Sequence, residues 1–298
     1  MAKRGSKMTN KFVASVIVAL FLAVVAFLQG NGVLPENMNP VTDGEVYVHI
    51  IDVGQGSSTL IQQGKEAILI DAGELDYAET VSDYINSCDI DTLKYVIASH
   101  PHSDHIGGLP KVLGDYEVGE VLMPEIDENN LPTTKVYERF LDAIADNGIS
   151  ASYCETGDVY YMGDVTVEIL GPVSQISDLN NMSAICKVSC GETDVMILGD
   201  AETKELRTVY AAHSPEKFES EFFVMGHHGS RTSLYYDFLN AVNPEIALIS
   251  CGADNSYGHP HEETLDYLNH NSIEYYRTDE EGDIVFMLDR YGYERTDK

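Results

Sequence analysis

Four side chains with the chemistry of metal ligands fall within six consecutive positions: His100, His102, Asp104 and His105, in the stretch SHPHSDHIGG at 99–108. Histidine is only 10 of the 298 residues, so three in six positions depart strongly from chance. Imidazole nitrogens and a carboxylate at this density suit zinc, with manganese or iron as other fits. Merely solvated histidines gain nothing from crowding, because protonating one opposes protonating the next. Further donors recur where apolar runs stop. Asp200 closes DVMILGD and has two oxygens with which to bridge two cations. His227 and His228 close FFVMGHH, and His259 follows a strand in SYGHPH. Asp71 closes AILID; it is read either as a group orienting the histidine loop from behind or as a turn aspartate capping backbone. His213, His261 and His270 are read as surface residues.

The elements that must position these groups follow from hydrophobic periodicity. EVYVHIIDVG (45–54), STLIQQ (58–63) and EAILIDAG (66–73) read as an antiparallel meander. A helix at 77–88 leads to strand LKYVIASH, which ends on His100. Strand GEVLMP and an amphipathic helix at 134–148, closed by Gly148, come next. The second half opens with a hairpin turning at Gly163-Asp164, then strands AICKVSC and DVMILGD. Helices at 201–213, 233–242 and 262–271 alternate with strands EFFVMGHHG and EIALISCG, and final strands lie near Tyr275 and Ile284. Each half is therefore strand-rich at first and then alternates strand with helix. Two mixed sheets packed face to face, with helices on both outer faces, satisfy that order: an α/β fold with an αββα sandwich. Polar clusters at strand ends lie where such folds place ligands.

The N-terminus stands apart. Lys3, Arg4, Lys7 and Lys11 precede a 17-residue apolar run at 12–28, near the ~17-residue minimum for crossing a bilayer. The exit AFLQGNG lacks the small-x-small pattern of a cleavage site, so residues 1–30 are read as an uncleaved anchor in preference to a signal segment. Residues 31–44 read as a linker and 45–298 as one domain, placed outside the cytoplasm and attached to the membrane. Net charge is −31, and those four basic residues are all in the first eleven positions, leaving 14 Lys and Arg against 49 acids. Such a chain repels nucleic acid at long range; if it meets a polyanion, bound cations must supply the positive charge. The five cysteines form no zinc-finger or CxxC spacing. Cys186 and Cys190 share a strand face, and most are expected to be small buried residues, with one disulfide at most.

SHPHSDHIGG resembles the HxHxDH signature of the metallo-β-lactamase superfamily; LIDAG, ILGD and HHGS resemble its other motifs. DVGQGSSTLI, NNMSA, ILGDAE, VMGHHGSRTS, ISCGADNSYGHP and RTDEEGDIVF together resemble its ComEC-like competence branch, over essentially all of 45–288. That resemblance implies that His100 and His102 hold one divalent ion, Asp104 and His105 a second, and that Asp200 bridges them. One of His227 and His228 completes the second site, with His227 expected because it comes first off its strand. The superfamily has a further histidine between the cluster and the bridging aspartate, yet none lies between His105 and Asp200 here. Asn181 of NNMSA, or water, is expected in its place.

The function expected is an exported or tethered phosphodiesterase or nuclease using a metal-activated hydroxide, acting on DNA or a cell-wall polymer. Asp104 doubles as a catalytic carboxylate, while Ser230, Asn181 and His259 position substrate or give a proton to the leaving oxygen. An esterase acting on phosphorylcholine-bearing teichoic acid is one alternative; a non-catalytic binding module on the same scaffold is another.

Overall fold

The computed structural model describes residues 44–174 and 177–296. The apolar run at 12–28, and the linker apart from Gly44, lie outside the described residues. Among those described, no helix is long and apolar enough to cross a membrane.

Strands β1 (Val46–Ile50), β2 (Thr59–Gln63) and β3 (Glu66–Ile70) form the expected antiparallel meander. Helix α1 (Ala78–Ser87) then leads to β4 (Thr92–Ile97). Helices α2 (Ser103–Ile106) and α3 (Leu109–Asp115) lead to β5 (Glu117–Pro124), and α4 (Lys135–Asp146) to β6 (Ser150–Cys154). These three strands run parallel to β3. The second half repeats the plan. Strands β7 (Val159–Met162), β8 (Val165–Gly171), β9 (Ile185–Cys190) and β10 (Thr193–Ile197) are antiparallel. Helix α5 (Thr203–Ala212), β11 (Phe222–Val224), α6 (Tyr236–Val242), β12 (Ile246–Ile249), α7 (Glu262–His270) and β13 (Glu274–Arg277) add parallel crossovers. One-turn α8 (Thr278–Glu281) returns the chain to the first sheet, where β14 (Ile284–Asp289) pairs with β1 and β15 (Gly292–Thr296) with β14. The sheets have eight and seven strands, in orders β15-β14-β1-β2-β3-β4-β5-β6 and β13-β12-β11-β10-β9-β8-β7.

Period-two alternation decides which face each residue takes. Val46, Val48 and Ile50 point into the layer between the sheets, where they join Ile68, Ile70, Val195, Phe222 and Phe286. Leu60, Ala67 and Leu69 point the other way, against α1, α3 and α4. Phe223, Ala247 and Ile249 do the same beneath α5, α6 and α7. Each such fully buried large side chain contributes about 1.5–3 kcal/mol, so these three apolar layers hold the strand ends in place. In α4, Phe140 and Ile144, one turn apart, bury while the opposite face stays wet. Cys186 and Cys190 do share the inner face; all five cysteines are free thiols and only Cys88 is not buried.

Candidate metal centre

Five strands, two in the first sheet and three in the second, end at one rim. Asp71 follows β3, His100 to His105 follow β4, Asp200 follows β10, His227 and His228 follow β11, and His259 follows β12. They assemble two groups of donor atoms that share Asp200: Asp104, His105, Asp200 and His228, and then His100, His102 and Asp200. Asp200 Oδ1 lies 3.0 Å from His105 Nε2 and 3.8 Å from His228 Nε2. Its other oxygen, Oδ2, lies 3.7 Å from His100 Nε2 and 3.6 Å from His227 Nε2. His228 Nε2 also faces Asp104 Oδ2 at 3.3 Å, and His100 Nε2 is 3.0 Å from His102 Nδ1.

Asp71 makes the contacts of both its readings, behind the histidine loop and on backbone. Its carboxylate takes the Nδ1 side of His105 at 2.6 Å, which leaves Nε2 facing Asp200. It also accepts hydrogen bonds from the Ser99 amide at 2.8 Å and the Ser99 hydroxyl at 2.6 Å. Ser99 Oγ lies 3.1 Å from His100 Nδ1, so one serine orders two imidazoles and a carboxylate. Backbone supplies the rest. Gly199 has φ +53, and a Cβ there would press on Ser183 and Ser99 at 3.0 Å; its turn lets the Asp200 amide donate to Ser183 Oγ at 2.9 Å. His227 and His228 are both left-handed, with φ 52 and 56, a conformation costing roughly 1–2 kcal/mol per non-glycine residue. That turn points consecutive side chains toward one carboxylate, and His228 is locked by its Nδ1 against Ser250 O at 3.0 Å.

The residues fit a divalent ion. His105 Nε2, Asp200 Oδ1 and His228 Nε2 are fully buried without hydrogen-bond partners; the 3.0 Å approach of the first two is out of alignment. Three orphaned donors converging from three strand ends are costly unless a cation uses them. The charges agree. Burial lowers His105, but Asp200 and Asp71 outweigh it and hold its pKa well above the ordinary value. His100 is pushed well below that value by burial and by the His105 charge. Burial works to raise both Asp200 and Asp104, yet the surrounding imidazoles hold both low. Buried Asp200 and half-buried Asp104 thus demand positive charge, and the His105 proton competes with a cation for that place.

Several sequence expectations change. His228, not His227, enters the four-residue group; His227 stands at the cavity wall with its side chain 22 % exposed, Nδ1 3.4 Å from Glu202 Oε1. Its earlier position off the strand does not decide the matter, because the two left-handed residues end the strand's alternation. Asn181 fills no ligand position. Its Oδ1 accepts from the Glu202 and Glu205 amides at 3.3 and 3.1 Å, capping the start of α5. Ser230 likewise caps the turn at Arg231–Ser233 by accepting from the Thr232 amide, and it is absent from the cavity wall. His259 does line the cavity. Burial, with His228 and His227 beside it, pushes its pKa down to about 4, so it is a neutral imidazole at pH 7 and no reservoir of protons. His213 and His261 are not idle at the surface: His213 Nε2 meets Leu170 O at 3.0 Å, and His261 Nδ1 accepts from the Arg231 amide at 3.1 Å. Sequence reasoning missed Ser99, Ser183, Glu202 and Gln55; Ser99 alone carried a signal, sitting directly before the cluster.

The sequence matches the Metallo-beta-lactamase superfamily over residues 51–253. ComE operon protein 3 of Bacillus subtilis (strain 168) is 27% identical over 268 residues, covering 83% of this chain and 34% of that protein. Competence protein ComA of Neisseria gonorrhoeae is 30% identical over 256 residues, covering 85% and 34%. The chain therefore spans about a third of the length of these relatives. Among solved structures, the metallo-beta-lactamase fold protein YhfI from Bacillus subtilis superposes with a TM-score of 0.53 at 14% identity, over 82% of this chain and 100% of that one, a likeness of fold. The motifs read from the sequence, the two-sheet sandwich and the family match agree: this chain belongs to the metallo-beta-lactamase superfamily and resembles its ComEC-like competence proteins.

Proposed function

We propose that the chain is a metal-dependent phosphodiesterase acting on nucleic acid, tethered outside the cytoplasm by residues 1–30. The observation that carries the reading is Asp200, whose two oxygens address two separate donor groups. The two donor groups would hold divalent ions, with zinc or manganese the fitting choices, which would supply Lewis acidity toward a phosphoryl oxygen and lower the pKa of water.

The chain's own residues do the rest. Asp71 and Ser99 hold His105 and His100 in one orientation, so little reorganisation is needed as charge develops. A cavity of about 430 Å³ opens over the donors, walled by Gln55, Ser103, Asn180, His227, Tyr257 and His259, and is large enough for a phosphodiester with one flanking group. His227, steadied on its Nδ1 side by Glu202 at 3.4 Å and Thr232 Oγ1 at 3.3 Å, is the group placed to hand a proton to the leaving oxygen. His259, neutral and 3.3 Å from the Gln55 amide nitrogen, orients substrate. The net charge of −31 favours a second reading, an esterase acting on a phosphorylcholine-bearing cell-wall polymer, whose cationic headgroup an acidic protein would attract.

The test is a substrate panel on purified protein whose metal content is measured by mass spectrometry before and after chelation. Linear DNA and bis-p-nitrophenyl phosphate should be cleaved, with activity lost on chelation and regained with metal. Intact DNA beside a cleaved p-nitrophenyl phosphorylcholine would select the esterase. A protein that holds no transition metal and turns over nothing would be a binding module. Surface proteolysis of intact cells checks the tether.

A further inference from the structure

We infer that Tyr257 is the platform on which a nucleobase beside the scissile phosphate stacks; this rests on the phosphodiesterase reading above. Among the described residues, Tyr153, Tyr236, Tyr257 and Tyr291 are tyrosines more than half exposed, and Tyr257, at 67 %, is the one of them that lines the cavity over the metal centre. One face of its ring stacks on His259, with centroids 5.6 Å apart and planes 21° apart. Most of the residue is left to solvent.

The ring is held on a loop that is strongly over-determined. Asn255 Oδ1 accepts from the Tyr257 and His259 amides at 3.1 and 3.0 Å. Its Nδ2 donates to Gly252 O at 2.9 Å and to His259 O. Gly258, at φ +76, turns the chain between the two rings, and Gln55 braces both ends by meeting His259 Nδ1 and accepting from the Gly252 amide. A large aromatic face left wet beside a phosphate site suits a ligand whose flat group is joined to its phosphate through a sugar. Tyr257 stacked on His259 is already a two-ring column, and a nucleobase extends it as a third ring. A quaternary ammonium is better held by several rings around it. Among the cavity's lining residues Tyr257 is the only phenolic ring, and the chain has no tryptophan. The site therefore fits a planar base better than a choline headgroup.

Calorimetry on the metal-loaded full chain tests this with two ligands that differ by the base, adenosine 5′-monophosphate and ribose 5-phosphate. The wild type should bind the nucleotide about tenfold more tightly, or about 1.4 kcal/mol. Tyr257→Ala should bring the ratio close to one, and Tyr257→Phe should keep it. Equal affinities in the wild type, or an undiminished ratio in Tyr257→Ala, would overturn the assignment. So would phosphorylcholine binding that is tighter than either sugar phosphate and is lost in Tyr257→Ala. The ratio is read without turnover, so failure to cleave DNA or bis-p-nitrophenyl phosphate sinks the phosphodiesterase reading separately.

Discussion

The two sheets contribute to the metal centre in different ways. The first delivers His100, His102, Asp104 and His105 in one loop, with His100 and His105 oriented by side-chain hydrogen bonds to Ser99 and Asp71. The second delivers Asp200, His227 and His228 from two strand ends, aimed first by main-chain geometry, a left-handed glycine before Asp200 and two left-handed histidines, with side chains adding support at His227 and Asp200. Side-chain bracing can be undone by one substitution that leaves the backbone alone. Backbone bracing is spread over the turn and its neighbours. The first half should therefore be tuned by its supporting residues and the second by its ligands.

The largest effect should come where the halves meet. Asp200→Ala removes the carboxylate that both donor groups share, so metal stoichiometry should fall and turnover with it, the latter by more than the ~100-fold that marks the upper range for loss of an outer partner. Retention of one full equivalent of metal would show that the halves bind independently. Next, His228→Ala and His227→Ala should separate: the first depletes metal by elemental analysis. The second retains metal while turnover drops by about 10²–10⁴-fold, the usual worth of a general acid. Loss of metal in His227→Ala instead would make that residue a ligand. In the first half, Asp71→Asn keeps every donor atom of the two groups, and should still weaken metal affinity about 10–100-fold in a chelator competition. Ser99→Ala should cost less, about 1–3 kcal/mol of thermal stability, because its loss leaves Asp71 short of a buried donor.

The smallest effect is on pH. His259, at about 4 in the fold against 6.5 when free, binds fewer protons folded than unfolded, so its share of stability is lost as pH falls from about 6.5 through 4. The His105 pKa is raised, so its share is full below 6.5 and is lost as pH climbs through that raised value. Chelated His259→Gln should show a flatter acid limb by thermal melting than chelated wild type.

The difference between the halves also explains what could be read in advance. The histidine loop is contiguous, and strand–helix alternation is a local pattern, so the sandwich and four donors were legible from residue order. Asp200 was legible because an apolar strand ending in a carboxylate is conspicuous. Asn181 and Ser230 misled because asparagine and serine are also what helix and turn starts require, and residue type does not separate a cap from a ligand. The choice between His227 and His228 turned on backbone dihedrals that non-glycine residues seldom adopt. Ser183 and Glu202 reach the centre only through tertiary contact, as does Gln55, 204 positions from His259.

The pairing of β14 with β1 has a consequence for how the molecule is made. During synthesis β1 emerges well before β14, so its neighbour on that side, with Phe286 and Leu288 for the inner layer, is not available until more than 230 residues later. Until then the nascent chain carries an open strand edge and an unfinished interior, the state most prone to sticking to other chains. Contacts so distant along the chain also slow folding. Variants that weaken the β1–β14 register should show first as poor yield from the ribosome, before any change in the finished protein's chemistry.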